Sequence, residues 1–285
     1  MTKIIDKLSL GLCLLTAVAC SKNESATFQE FSVHGTVLAT KSPQLDNNGA
    51  GMFAIGDEIS LFFKSSEKEE SCKYTFGSKK FWSDLGFSPE TGEIYVSAAY
   101  PAVTAENPKD FKWDCSKDNG TTDFLTGSKV KATPFSTKAI DIAFSHILHK
   151  ISVSLEPYGD NISDEDLKTA RISCKNALST ASINLLESEV SASGAKYEFN
   201  ASGKNVSFII PPQPAGEITV CISVGERNFS FSLAECKIEG KPIEKLNSGQ
   251  TLSLKIKVSK SAFILSGQNI GGWTEQGEIN GDIII

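Results

Sequence analysis

Ile140-Asp-Ile-Ala-Phe-Ser-His-Ile-Leu-His-Lys-Ile-Ser-Val-Ser-Leu155 is the stretch whose reading decides the fold, and it lies at the middle of a 285-residue chain. It carries two of the three histidines. On a helix, His146 and His149 would share a face and could open a metal site. On a strand they point to opposite faces, and the density of Ile, Val and Phe favours the strand. Period two then sets Ile147, Ile151, Val153 and Leu155 on one face with His149, and His146 on the other. A zinc site needs further ligands, and His34 is the only other histidine. No metal and no cofactor is expected.

Working outward, the chain is 40% hydrophobic and 22% charged, with a net charge of −6. It has only two arginines, Arg171 and Arg227, and no Lys/Arg stripe, so nucleic acid is not an expected partner. Alternation predicts a strand over residues 28–40 (Phe31, Val33, Gly35 and Val37 on one face); residues 53–63 read as a turn feeding a strand, and 95–102 as another short strand. Residues 41–51 and 109–131 read as loops. Within the latter, Asp114, Ser116, Asp118, Asn119 and Gly120 suggest a calcium loop, but Gly120 falls one place late and Leu125 stands where an acid is needed. A turn is the expectation. Glu67–Glu70 reads as a solvated loop. Ser163-Asp164-Glu165-Asp166 reads as an N-cap with acidic residues in one helical turn. The second half alternates short strands and turns: 170–175, 182–186, 195–200, 207–210, 218–224 and 228–234. Residues 252–258 place Leu252, Leu254, Ile256 and Val258 inward. Short strands at this spacing predict an all-β chain of sandwich type, and the length suits two modest domains or one large one.

The N-terminus reads as a targeting segment. Lys3 and Lys7 precede an apolar run over 8–18, too short to span a bilayer and suited to a secretory signal. It ends Ala17-Val18-Ala19-Cys20, followed by a polar tether to residue 27. Two readings stand. Cys20 is acylated as in a bacterial lipoprotein, so that residues 1–19 are the signal peptide; or Ala17-x-Ala19 is an ordinary signal-peptidase site. Cys72, Cys115, Cys174, Cys221 and Cys236 remain, an odd number with no metal spacing. Structural thiols are expected, with Cys72 and Cys115 the first pair to test.

Several pieces then align. Asp123-Phe-Leu precedes Phe144-x-His146-x-Leu148. Ile55-Gly-Asp-Glu-Ile-Ser-Leu-Phe62, Tyr100-Pro101, Gly249-Gln-Thr-Leu-Ser-Leu-Lys-Ile256 and Ile270-Gly-Gly-Trp273 stand in the same order as in the fimbrillin-like (Mfa-like) family, which this chain resembles over nearly its whole mature length. The resemblance implies a type V pilus subunit with two tandem transthyretin-like β-sandwich domains, over residues 28–156 and 157–285. It implies a surface lipoprotein of the cell outer membrane, anchored through Cys20 and supporting adhesion. Its partners would be other fimbrial subunits, and host or bacterial surface ligands. In stalk subunits of that family a protease removes the first strand, and a neighbour's C-terminal strand fills the groove. Here the donor candidate is residues 278–285, with Ile279, Ile283 and Ile285 on one face; the same segment could instead be the last strand of its own second domain. The family's processing arginine is missing, and the loop over 41–51 offers only Lys41. Lys41 is either the cleavage point or the subunit stays uncut, as an anchor or accessory component. The competing class is a surface glycan-binding lipoprotein, with Phe81-Trp82 and Phe111-Lys112-Trp113 as stacking platforms. No Gly-x-Ser-x-Gly elbow, Walker loop or His-Glu-x-x-His occurs, and an enzyme is not expected.

Overall fold

Residues 140–155 fold as two strands that join different sheets. The computed structural model describes residues 29–37, 51–159, 162–238, 240–259, 262–272 and 280–284. The first half holds β1 (Glu30–Phe31), β2 (Val33–Val37), β3 (Gly51–Met52), β4 (Glu58–Lys64) and β5 (Glu69–Thr75). It continues with β6 (Lys80–Phe81), β7 (Ile94–Tyr100), β8 (Phe111–Asp114), β9 (Leu125–Ala132) and β10 (Ile140–His146). Next come β11 (His149–Pro157), the short helix α1 (Asp164–Lys168), β12 (Arg171–Asn184), β13 (Glu189–Ser202) and β14 (Asn205–Ile210). The remainder is β15 (Thr219–Val224), β16 (Arg227–Ser232), β17 (Lys237–Ile238), β18 (Lys241–Pro242), β19 (Gln250–Val258), β20 (Phe263–Gly272) and β21 (Asn280–Ile284). The chain is all-β, as its alternation predicts.

Seven strands form one mixed sheet in the order β3-β2-β10-β9-β7-β4-β5. Within it β2 runs parallel to β10, and the other pairs are antiparallel. β11 instead sits inside the sheet β14-β11-β19-β20-β21, antiparallel to β14 and parallel to β19. A further sheet runs β13-β12-β15-β16, and β8 pairs with β12 beyond the end of β15. These two sheets share one hydrophobic cluster. Ile151, Val153 and Leu155 of β11 join Leu252, Leu254 and Ile256 of β19, together with Ile172 and Cys174 of β12 and Val220 and Ile222 of β15. A second cluster gathers Ile59, Leu61 and Phe63 of β4 with Val96, Ile142 and Phe144. Phe62, between two of those residues, belongs to the larger cluster, so β4 is buried on both faces.

The kink at Ile147-Leu148 explains the opening stretch. Ile140, Ile142, Phe144 and His146 are buried in β10, and His149, Ile151, Val153 and Leu155 in β11. The buried parity changes across the kink because each strand faces the core from a different sheet. β11 belongs along its whole length to the later sheet, pairing with β14 and β19. β8 likewise leaves the first half, to pair with β12.

Three local readings are corrected. Residues 109–131, expected as a loop, contain β8 and most of β9. The Glu67–Glu70 segment runs into β5, an edge strand whose outer face is charged: Lys73 meets Glu58 at 2.5 Å, and Lys64 meets Glu69 at 3.3 Å. Residues 170–175 and 182–186 are one strand, β12, whose register slips between Cys174 and Ala177 and again between Leu178 and Thr180. At that slip the buried Gln213 stands in for a missing strand. Its Oε1 accepts from the Leu178 N–H at 2.7 Å, and its Nε2 donates to the carbonyls of Pro211 (3.0 Å) and Leu178 (3.3 Å).

Candidate functional site

The two central histidines hold the chain together and do not converge. His146 Nδ1 meets the Asp123 carboxylate, whereas His149 Nδ1 donates to the Asn247 carbonyl at 2.8 Å. A carbonyl can only accept, so its partner is Nδ1–H and the buried Nε2 of His149 carries no proton. Burial pushes the His149 pKa down to about 4. The turn beginning at Asn247 clamps the kink from outside. Ser248 Oγ donates to the Ile147 carbonyl at 2.9 Å, and the Gly249 N–H to the Leu148 carbonyl at 2.9 Å. Gly249 has φ +68°, and a Cβ there would lie 2.8 Å from the His146 carbonyl oxygen, so only glycine fits. The site is a structural clamp between sheets. Among the described residues no group of three His, Cys, Asp or Glu is placed to hold a metal ion.

The other acidic and thiol candidates are also accounted for. Asp164–Asp166 form the predicted cap: the Asp166 N–H donates to Ser163 Oγ at 3.3 Å, and the Ser163 N–H to Asp166 Oδ2 at 2.8 Å. Asp118 closes its own turn by accepting from the N–H groups of Gly120 (3.1 Å) and Thr122 (2.8 Å). All five described cysteines are free. Cys72 packs on the cluster of Phe63 and Phe144, whereas Cys115 lies in that of Ile151 and Leu254, which keeps the pair apart. Burial pushes the Cys72 thiol up to about 11 and those of Cys115, Cys174 and Cys236 up to about 12. The aromatic platforms expected for sugar stacking are packed inward. Trp82 is 1% exposed, and Trp113 is half-buried, tilted against Phe124 at 4.9 Å.

The arrangement with the most to say about assembly is the first strand. Phe31, Val33, Gly35 and Val37 point inward and their neighbours outward, as the alternation predicts. The Phe31 ring fits among Trp82 (4.7 Å), Phe63 (5.9 Å) and Tyr74 (6.0 Å). Phe53 closes over Gly35, where a Cβ would lie 2.5 Å from Phe53 Cδ2. Phe53 cannot retreat, since it is stacked on Phe76 at 4.9 Å and set edge-on to Phe144 at 4.8 Å. Three buried side chains, Phe31, Val33 and Val37, contribute roughly 5–8 kcal/mol in all. On the outer face His34 meets Asp141 of β10 at 3.2 Å, both well exposed. β2 therefore lies inside a sheet, between β3 and β10, and its buried side chains all belong to one cluster, that of Phe63 and Phe144.

At the other end β21 pairs antiparallel with β20, with Ile283 opposite Leu265 and Ile284 opposite Ile264, at the margin of its own sheet. Cys20, Lys41, Ile279 and Ile285 lie outside the described residues, as does the signal segment.

Comparison with known proteins gives this arrangement its context. The sequence model of the family described as fimbrillin-like matches residues 40–273. No curated protein matches the chain in sequence. Among solved structures, a candidate cell adhesion protein from Bacteroides uniformis superposes with a TM-score of 0.67 at 16% identity, over 86% of this chain and 98% of that one. A second, from Bacteroides ovatus, gives 0.64 at 16% identity, over 88% and 99%. A third, from Bacteroides thetaiotaomicron, gives 0.52 at 18% identity, over 82% and 94%. At such identities the likeness is one of fold.

Proposed function

The chain belongs to the fimbrillin-like family, and from that premise we propose that it is a non-enzymatic structural subunit of a cell-surface fimbrium that assembles by β-strand addition. Residues 1–19 are removed as a signal peptide, and Cys20 takes lipid and holds the subunit to the outer membrane. Adhesion is the service the assembly performs. The body divides into two β units, the first built around the cluster of Phe63 and Phe144, the second around that of Ile151 and Leu254.

One observation carries the assembly reading. The first strand presents Phe31, Val33, Gly35 and Val37 to its groove, and the C-terminal segment carries Ile285, Ile283, Gly281 and Ile279 at the same spacing when read backwards. In both series the third position is glycine, where Phe53 leaves no room for a Cβ. An incoming C-terminal strand laid opposite in direction to β2 would thus match such a groove residue for residue once the first strand is gone; with its own first strand retained, this subunit would act as donor, placing its C-terminal segment in the equivalent groove of a neighbour.

Lys41 sets the subunit's place. Where the family's cleavage arginine is missing, a retained first strand leaves the groove filled and the lipid attached, which suits an anchor or accessory subunit. Mass spectrometry of the mature N-terminus tests this. Acylated Cys20 is the expected result. A chain beginning at Ser42 would make it a processed stalk subunit, and an unacylated Cys20 would overturn the lipid anchor.

A further inference from the structure

We propose that the outer face of the four-stranded sheet β13-β12-β15-β16 is a binding site for an acidic carbohydrate, which sets its carboxylate on Arg171. Strand register builds the site. Ser173 of β12 lies opposite Asn200 of β13 on one side and Cys221 of β15 on the other. One step along the same face, Arg171 lies opposite Ser223, which in turn lies opposite Asn228 of β16. The short side chains of Ser173 and Cys221 form a floor between the long ones of Arg171 and Lys175, and the basin so made measures about 400 Å³. That volume falls within the range of about 300–1,000 Å³ seen for ligand clefts.

The chemistry of the lining selects the ligand. Lys175 is already engaged by Glu198 at 3.3 Å. Arg171 makes no ion pair among the described residues, so a guanidinium with a planar fork of donors stands open in a chain of net charge −6. The amides beside it are pre-set. Ser223 Oγ donates to Asn228 Oδ1 at 2.5 Å, which leaves the Asn228 NH2 to donate outward. Asn200 Nδ2 donates to the Glu198 carbonyl at 2.9 Å, which leaves Asn200 Oδ1 to accept. A ligand meeting this face finds one anion site and a grid of hydroxyl and amide groups of both senses. That matches a sugar acid, whose ring carries one carboxylate among many hydroxyls. A protein partner would need an apolar anchor. The exposed large apolar residues Ile55, Tyr95, Tyr158 and Tyr197 do not line the basin, and Phe229 is held at its margin by stacking on Phe263 at 5.2 Å.

The test is a 1H–15N titration of the mature chain with a hyaluronan tetrasaccharide and with sialyllactose, alongside carboxyl-reduced hyaluronan and sodium acetate. Saturable shifts from at least one acidic sugar, centred on residues 171–175 and 221–230, are expected. Arg171→Gln should weaken that binding roughly tenfold, and the carboxyl-reduced sugar should bind roughly tenfold less tightly than its parent. Arg171 is exposed, so the variant keeps the native spectrum elsewhere. The proposal fails if neither acidic sugar saturates, if shifts centre elsewhere, or if Arg171→Gln binds like the parent. Acetate matching the sugars in affinity would also overturn it, since the site would then read only charge.

Discussion

Phe31→Ala tests whether the first strand is a seated insert. The side chain is 2% exposed and is enclosed by Trp82, Phe63 and Tyr74 at ring distances of 4.7–6.0 Å. Those rings cannot close the gap, because Trp82 and Phe63 already brace each other at 6.0 Å and both lean on Phe87. The residual cavity thus stays close to the volume removed, and truncation should cost about 3–5 kcal/mol. Urea unfolding followed by tryptophan fluorescence should show that loss as a lower midpoint at constant slope. Amide exchange should localise it. If β2 opens before the sheet as a whole, protection over Val33–Val37 should fall roughly a hundredfold or more, while Ile151–Leu155 changes only with global stability. His34→Ala, on the exposed face of β2, should cost less than about 0.5 kcal/mol. A Phe31→Ala loss below about 1 kcal/mol, with protection of β2 unchanged, would refute the account of how this strand is held.

Three further outcomes follow from buried polar groups. His149 has a folded pKa of about 4 against an ordinary value near 6.5, so between those values the unfolded chain binds a proton that the folded chain does not. The His149 contribution to stability should therefore fall as pH drops from about 6.5 to 4, by up to about 3 kcal/mol, and be constant below; His149→Gln should flatten that part of the urea-midpoint profile. Gln213→Ala leaves the Leu178 N–H and carbonyl without their partner inside β12 and should cost about 2–4 kcal/mol by thermal or urea unfolding, with Gln213→Glu no substitute at neutral pH. Iodoacetamide at pH 8 should label Cys221, on the outer face, well before Cys72, Cys115, Cys174 and Cys236; peptide mapping of the native protein would show the order, and rapid labelling of Cys174 would contradict its burial.

How much of this was legible depended on where each residue's partner lies. β2, β15 and β19 could be read from alternation alone because each buries one face against a core, and Leu252, Leu254, Ile256 and Val258 stand inward as expected. β5 was hidden because its outward residues pair with neighbouring charges and only Tyr74 is fully buried. β8 was hidden for a different reason. Its four residues find their ladder with Thr180–Ile183, far along the chain, and no local pattern announces such a pairing. The histidines followed the same rule: a strand reading removed the metal, but Asn247, ninety-eight residues from His149, could not be foreseen as its acceptor. The basin at Arg171 was least visible of all. Its polar residues sit on four strands, and their adjacency exists only once the register is set.

Gly281 carries the sharpest consequence of the matched alternations. In a chain cut at Lys41 in vitro and stripped of its first strands, the groove beside β10 and, at the Phe31 end, β6 would offer pockets vacated by Phe31, Val33 and Val37 and a closed position under Phe53. A peptide of residues 278–285 entering opposite in direction to β2 places Ile285, Ile283 and Ile279 in the three pockets and Gly281 at the closed one. The Gly281→Val change adds a branched side chain where even a Cβ would lie 2.5 Å from a ring carbon. Phe53 is pinned between Phe76, Phe144 and Tyr100, so relief has to come from the peptide's own backbone lifting away from the β10 ladder. Binding of the substituted peptide, followed by the rise in melting temperature it gives the cleaved chain, should be at least roughly tenfold weaker than that of the parent peptide. The full-length Gly281→Val chain, with its own first strand in place, should melt close to the parent, because that groove is then already occupied. Equal binding of the two peptides would mean that the third position of the incoming strand does not pass beneath Phe53, and the register deduced from the two glycines would be wrong.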